Sequence, residues 1–302
     1  MRIGIDIGGT KIEAAVLRPD GGIAIRKRVA TPGQDYGAVI QAIRDLVLEV
    51  EREIGGQASI GISMPGTLSA ATGLVKNSNS TCLNGRPFDR DLSAALGRSL
   101  RFANDANCFV LSEATDGAGK GLDTVFGVIL GTGVGGGIAV HGRILTGPNG
   151  IAGEWGHNPL PWSRDAERPG PLCYCGKQGC IESFLSGPSL ARDHREQTGE
   201  EFDANQIAER AAQGDKISEA TMQRYEERLA RALASAINLL DPDVIVLGGG
   251  VGRIERLYRN PPKLWGRYVF SDTVTTRLLP PQWGDSSGVR GAAWLWPEGE
   301  KR

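Results

Sequence analysis

The chain has 302 residues, a formal net charge of −1 and five cysteines. That length accommodates one large or two modest domains with ample core, and a near-neutral charge without runs of one sign argues against a nucleic-acid or membrane-surface role. No apolar run reaches the roughly 18–20 residues of a membrane span and no basic, apolar leader precedes the first strand pattern. A cytoplasmic protein is therefore expected, without a disulfide framework.

Ile3, Ile5 and Ile7 alternate as the buried face of a first strand, because successive strand side chains point to opposite sides. Gly8 and Gly9 break it and let backbone N–H groups approach an anion closely, with the Thr10 hydroxyl and Lys11 ammonium next in line. Asp6 beside such a turn suggests magnesium held against phosphate; for Lys11 the plain alternative is a solvated or salt-bridged lysine. Lys11–Leu17 and Ile23–Ala30 read as two more strands around Pro19-Asp20-Gly21-Gly22, which makes an antiparallel meander. Asp35 caps a helix carrying Val39, Ile43, Leu46, Val47, Val50 and Ile54 on one face, stopped by Gly55-Gly56. A strand over 59–63 ends at Met64-Pro65-Gly66, a sharp turn. Another over 100–103 leads through Asn104-Asp105-Ala106-Asn107 into a helix to about Asp116, and 117–121 reads as a joint.

The second half starts again with a strand at 124–130, the turn Gly131-Thr132-Gly133-Val134-Gly135-Gly136-Gly137 and a strand at 138–140. The glycines fit G-x-G-x-x-G, but a dinucleotide site needs a helix after them, and here a strand follows. The alternative is a hairpin whose tip offers donors to phosphate, repeating the design of the N-terminus. Residues 159–171 are Pro-rich and read as a loop. A strong amphipathic helix covers 224–240, and a buried strand over 244–247 runs into Gly248-Gly249-Gly250. A last helical pattern begins at Gly288. Alternating strands and helices in both halves make the chain α/β, with a duplicated start. The expected division is a small lobe over 1–117, a large lobe over 118–287, and a C-terminal helix over 288–302 packing back on the first.

Asn104 and Asp105 suit a helix N-terminus as caps. The functional reading keeps Asp105 ionised at the positive end of the dipole, where it takes a proton from a sugar hydroxyl as that oxygen attacks a γ-phosphate. Cys173-x-Cys175-x4-Cys180 with His157 upstream offers three thiolates and one imidazole, a complete tetrahedral zinc set with no open position. Such a zinc is structural. Glu154 and Glu182 flank it as candidate sugar-hydroxyl acceptors or ordinary surface carboxylates. His157 could place one ring nitrogen on zinc and the other on sugar. Cys82 and Cys108 read as core residues.

Together these motifs resemble the ROK family (repressors, open reading frames and kinases), in the sugar-kinase and actin-like ATPase superfamily with its ribonuclease H-like fold, over essentially the whole chain. The carriers are 6–11, 131–133, 64–66, Asn104-Asp105, Glu154-Trp155-Gly156-His157 and the run from Cys173 to Glu182. Stretches 75–81, 156–162 and 284–291 resemble the family's bacterial fructokinases. The resemblance implies a two-lobed ATP-dependent kinase with its active site in the interlobe cleft, acting on the 6-hydroxyl of fructose. Glucokinase, mannokinase and N-acetylglucosamine kinase activities are the alternatives.

It further implies Asp105 as base and Gly66, Asn104, Asp105, Glu154, His157 and Glu182 around the sugar. The nucleotide and its magnesium would meet Gly4, Asp6, Gly8, Gly9, Thr10 and Lys11, then Gly131, Thr132, Gly133, Val134, Gly135 and Gly136, and finally Gly248, Gly249 and Gly250. Zinc would be held by His157, Cys173, Cys175 and Cys180, and members commonly form homodimers. A sugar-responsive repressor of the same family would need a DNA-binding helix pair for which the N-terminal strand leaves no room. One departure stands out: Asn260-Pro261-Pro262 interrupts the long helix expected after the glycine triplet, since proline inside a helix costs about 3 kcal/mol or more.

Overall fold

The computed structural model describes residues 1–297. The chain divides into two compact units, one of residues 1–121, 142–152 and 285 onward, the other of residues 122–141 and 153–284. The return of 142–152 to the first unit is marked by nothing in the sequence.

The first unit opens with β1 (Arg2–Ile7), β2 (Lys11–Leu17) and β3 (Ile23–Ala30), an antiparallel meander as the turn residues predict. Helix α1 (Tyr36–Ile54) follows, where Asp35 accepts the Ala38 N–H at 3.0 Å and Gly55 closes the helix at φ 71°. Then come β4 (Ser59–Met64), the two-residue strands β5 (Thr67–Leu68) and β6 (Val75–Lys76), α2 (Phe88–Leu96), β7 (Arg101–Asn104) and α3 (Asp105–Asp116). The unit is completed by β10 (Arg143–Ile144) and α9 (Ser287–Trp294). The sheet order is β3-β2-β1-β4-β7, with β4 and β7 parallel to β1.

Ile3, Ile5 and Ile7 pack with Val39, Ile43, Leu46, Val47 and Val50 of α1; each such burial is worth about 1.5–3 kcal/mol. Across the sheet, α9 lies against β1 and β4 so closely that a Cβ on Gly4 would meet Val289 O at 1.9 Å. The helix ends at Trp294, short of the expected 302, and residues 298–302 lie outside those described.

The second unit repeats the arrangement. β8 (Thr124–Leu130) pairs antiparallel with β9 (Val134–Val140) and parallel with β11 (Val244–Gly248), which pairs parallel with β12 (Arg277–Leu279). The strand after the glycine turn is longer than expected because Gly135, Gly136 and Gly137 pair with β8 as strand residues. Helices α4 (Glu182–Leu185), α5 (Gly187–Thr198), α6 (Ala204–Ala212) and α7 (Lys216–Leu240) complete the layer, with α7 starting eight residues before its apolar stripe becomes regular. Tyr225, Leu229, Leu233 and Ile237 of α7 pack with Phe126, Val128, Ile245 and Leu247.

The expected loop over 159–171 holds only a single 3-10 turn, Asp165–Glu167. It is ordered by α7: Arg231 donates to the carbonyls of Pro161 (3.2 Å) and Trp162 (2.8 Å) and pairs with Glu167 at 2.8 Å. After Gly250 there are two 3-10 turns and then α8 (Pro261–Trp265), so the two prolines begin a short helix, where their missing N–H groups are not needed.

Candidate functional site

In the first unit the turn between β1 and β2 is closed by Gly8 N–H donating to Lys11 O at 2.9 Å, while Thr31 holds Gly8 O (2.7 Å) and Thr10 O (3.0 Å). The Gly8 donor is therefore engaged, and an anion would meet Gly9 and Thr10; a Cβ on Gly9 would touch nothing within 4 Å. Lys11 is half exposed and pairs with Glu13 at 3.9 Å, the salt-bridged alternative. Glu13 itself is buried and holds Arg26 and Arg28, each at 2.6 Å.

Asp6 lies at the end of β1. Burial, reinforced by the carboxylates of Asp105 and Glu13, pushes its carboxyl up to about 6. Neighbouring carboxylates that raise the cost of ionising Asp6 are the arrangement a divalent cation relieves. Asp105 opens α3, exposed, with Oδ1 on the Ala106 N–H at 2.9 Å. Asn104 caps that helix through Oδ1 on Asn107 N–H at 2.7 Å, which leaves its amide nitrogen as the atom able to serve a ligand. Gly66 sits at φ 76°, where a Cβ would fall 2.4 Å from Lys76 O; only glycine fits this turn.

In the second unit the hairpin tip is tied from three sides. Gly131 N–H donates to Gly133 O (3.0 Å), Gly187 N–H at the start of α5 donates to Gly131 O (2.8 Å), and Val134 N–H donates to Glu182 Oε2 (2.8 Å). Of the expected phosphate donors, Thr132 and Gly133 remain. Gly135 and Gly136 are committed to the ladder with β8, and a Cβ on Gly136 would fall 2.6 Å from both Gly153 O and the Trp155 ring, so close packing explains that glycine. Gly249 (φ 82°) likewise approaches Leu130 O, between Gly248 at the end of β11 and Gly250 before a 3-10 turn. For Gly4, the contact with α9 is a packing reason of the same kind.

The cysteine segment supplies the most distinctive geometry. Donor atoms of His157, Cys173, Cys175 and Cys180 lie within 4.8 Å of one another. His157 Nδ1 is 3.6 Å from Cys173 Sγ, and Cys175 Sγ is 3.6 Å from Cys180 Sγ. Ligands around a tetrahedral zinc stand about 3.5–3.8 Å apart, given Zn–S near 2.3 Å and Zn–N near 2.0 Å, so this donor set fits. The backbone shapes it: Cys173 N–H donates to Lys177 O and Gly176 N–H to Cys173 O, a tight turn that brings Cys175 back beside Cys173.

Glu154 lies just before His157 and is exposed. Glu182 bridges two motifs, with Oε1 3.8 Å from Cys173 Sγ and Oε2 on the hairpin. Tyr174 was not singled out by sequence, yet its hydroxyl lies 3.0 Å from His157 Nε2. Desolvation, followed by the charges of Glu182 and Glu154, pushes this phenol up to about 12. Its position between two ligand cysteines was the available signal. Of the remaining thiols, Cys108 is buried and Cys82 half-buried against the first core, consistent with packing.

Two glycine turns, each after a strand that pairs antiparallel with the next and parallel with later ones, define an actin-like ATPase fold. The chain belongs to the ROK family, whose model matches residues 2–299. It is 38% identical over 299 residues to the N-acetyl-D-glucosamine kinase of Yersinia enterocolitica, covering 98% of this chain and 99% of that one. It is 36% identical to the N-acetylgalactosamine kinase of Shewanella sp. (strain ANA-3), covering 98% and 96%. Among solved structures, the ROK hexokinase from Thermus thermophilus superimposes with a TM-score of 0.86 at 31% identity, covering 97% and 96%. The ROK glucokinase from Streptomyces griseus, in complex with glucose and AMPPNP, gives 0.78 at 29%, covering 99% of each chain. These names favour the N-acetylglucosamine alternative over the fructose expectation. No helix among the described residues is long and apolar enough to cross a membrane.

Proposed function

We propose that this chain is an ATP-dependent sugar kinase that phosphorylates the 6-hydroxyl of an N-acetylhexosamine, N-acetylglucosamine first. The observation that carries the reading is the thiol–imidazole tetrad flanked by Glu154 and Glu182, in a chain 36–39% identical to amino-sugar kinases. Carboxylates beside a rigid, metal-pinned loop suit the hydroxyl donors of a sugar. In this reading Asp105 accepts the 6-hydroxyl proton as the oxygen attacks the γ-phosphorus. The base acts during bond formation, because a sugar hydroxyl is far too weak an acid to ionise beforehand. Asn104, His157 and Gly66 complete the sugar-facing group. Gly9, Thr10, Thr132 and Gly133 contribute backbone donors to the phosphates, and the 248–250 turn borders the adenosine.

Asp6 would hold the magnesium ion, which when bound would offset the charge of the phosphates. His157, Cys173, Cys175 and Cys180 hold zinc, which stiffens the loop and, with four protein ligands, has no open position for chemistry. The homodimer that the family resemblance implies is checked by light scattering.

Steady-state kinetics over N-acetylglucosamine, N-acetylgalactosamine, N-acetylmannosamine, glucose, mannose and fructose test the assignment. The highest kcat/KM is expected for an N-acetylhexosamine. A preference for fructose, which the stretches 75–81 and 284–291 favour, would overturn it.

A further inference from the structure

The stretch 284–291 bears on the first unit through the face of β1 that it covers. Alternation along β1 sends Ile3, Ile5 and Ile7 to α1 and Arg2, Gly4 and Asp6 to the opposite face, where α9 lies. Along that face the Arg2 guanidinium stands 4.6 Å from the centroid of the Trp294 ring, Gly4 meets Val289, and Asp6 meets Gly288. The helix is not free to slide and widen the last of these contacts. Ser287 Oγ donates to Glu113 Oε1 at 2.7 Å with both residues fully buried, and Arg290 holds Asp116 and the Gly21 carbonyl. Gly61 and Gly291 abut the carbonyls of Ala292 and Cys108.

Gly288 is helical, so no left-handed backbone calls for glycine, which inside a helix is costly relative to alanine. Space explains it. A Cβ there would lie 3.2 Å from Asp6 Oδ2 and 3.3 Å from both Cγ and Oδ1. Near-equal distances to all three atoms put the glycine over the flat face of the carboxyl group, not beside its edge. The lone pairs of a carboxylate lie close to its plane, so the face is covered while the edges that coordinate a cation are left alone. A methyl group would press on that face and tilt the plane. Magnesium is strict about such a tilt, because it demands near-ideal octahedral geometry with ligands at about 2.0–2.1 Å.

We propose that Gly288 is a positioning residue, keeping the Asp6 carboxylate at the tilt that magnesium requires. The inference rests on the assignment of Asp6 to the metal of an ATP-dependent kinase and adds what aims that ligand. Groups that orient a metal ligand without touching the metal commonly change affinity about 10–100-fold when altered. One methyl against a side chain that can still yield belongs at the lower end.

The test is Gly288→Ala in the full chain, with calorimetric affinity for a non-hydrolysable ATP analogue measured in magnesium and again in EDTA. Affinity in magnesium is expected to fall about 10-fold, and affinity in EDTA to change by less than about twofold. The same substitution in an Asp6→Ala background should alter neither value by more than about twofold, since the carboxyl it crowds is gone. Equal losses with and without metal would make Gly288 a structural residue and overturn the proposal, as would an undiminished affinity in magnesium. So would a loss of the same size once the Asp6 carboxyl is removed. If the unmodified chain binds the analogue no better in magnesium than in EDTA, the assignment of magnesium to Asp6 itself fails. That outcome is distinct from a Gly288 variant that leaves the metal dependence intact.

Discussion

Arg231 is, with Arg290, the largest fully buried side chain among the described residues, 1% exposed, and Glu167 makes that burial tenable. Two arginines, Arg228 and Arg231, converge on this carboxylate at 2.8–2.9 Å, and Glu227 joins Arg231 at 3.0 Å. Burial alone would raise the carboxyl; hydrogen bonds from Arg231, the Arg164 backbone and Arg228 override it and hold it at about 2. The folded value lies below the ordinary 4.5, so this pair stabilises the native state above about pH 4.5 and ceases to do so as pH falls toward 2.

Glu167→Ala removes the carboxylate that Arg228 and Arg231 share, leaving the buried Arg231 with Glu227 alone, and should lower stability by up to about 3–5 kcal/mol at neutral pH in chemical denaturation. The deficit relative to the parent should shrink as both are titrated into that acid window. At Asp105 the expectation is different in kind: Asp105→Asn should lower kcat by about 10²–10⁴-fold while calorimetric sugar affinity changes little. A variant that keeps turnover excludes the residue as the base. Residues such as Asn104 and Asp105 were legible because a strand-to-helix junction fixes where a side chain goes. The contact of Tyr174 with His157 was not, since an aromatic residue between two cysteines carries no periodicity. Glycines at 4 and 136 resembled phosphate contacts only because sequence does not reveal which backbones approach them.

At the level of elements, legibility follows the strength of the period. β1 to β3 and α1 emerge with their ends because alternation, the Pro19-Asp20-Gly21-Gly22 turn, the Asp35 cap and Gly55 agree. α5 was not seen: only Ser189, Leu190 and His194 of its twelve residues are buried, too thin a stripe to read. α6 was also missed, with Ala204, Ile207 and Ala211 as its buried residues. The pairing of α3 with α9 depends on Gly291, where a Cβ would fall 1.7 Å from Cys108 O, a backbone atom that cannot yield like a flexible side chain. Gly291→Ala should therefore destabilise the chain by about 1–3 kcal/mol through overpacking, seen as a lower melting temperature. An unchanged melting temperature would mean that the helices separate at no cost.

Over the whole molecule, the repeated β-meander was anticipated from two glycine turns in matching contexts, and the clustering of His157 with the three cysteines from their spacing. The motifs do not separate one sugar from another, because acids that accept hydroxyls look the same for every hexose. Metal release tests the larger organisation. Thiol modification should liberate about one zinc per chain, as a closed four-ligand site holds a single ion. Hydrogen exchange should then accelerate across 157–182 while β1 to β4 keep their protection. Acceleration everywhere would make the metal a global rather than local prop.

The position of α9 also bears on synthesis. Its partners β1 and β4 leave the ribosome long before residues 287–294 are made, whereas β8, β11 and α7 follow one another within the second unit. The glycine-lined face that receives α9 must wait uncovered through most of translation, open to chaperones and to wrong partners. The unit that starts first thus finishes last, and its final helix acts as the lock on the nascent sheet.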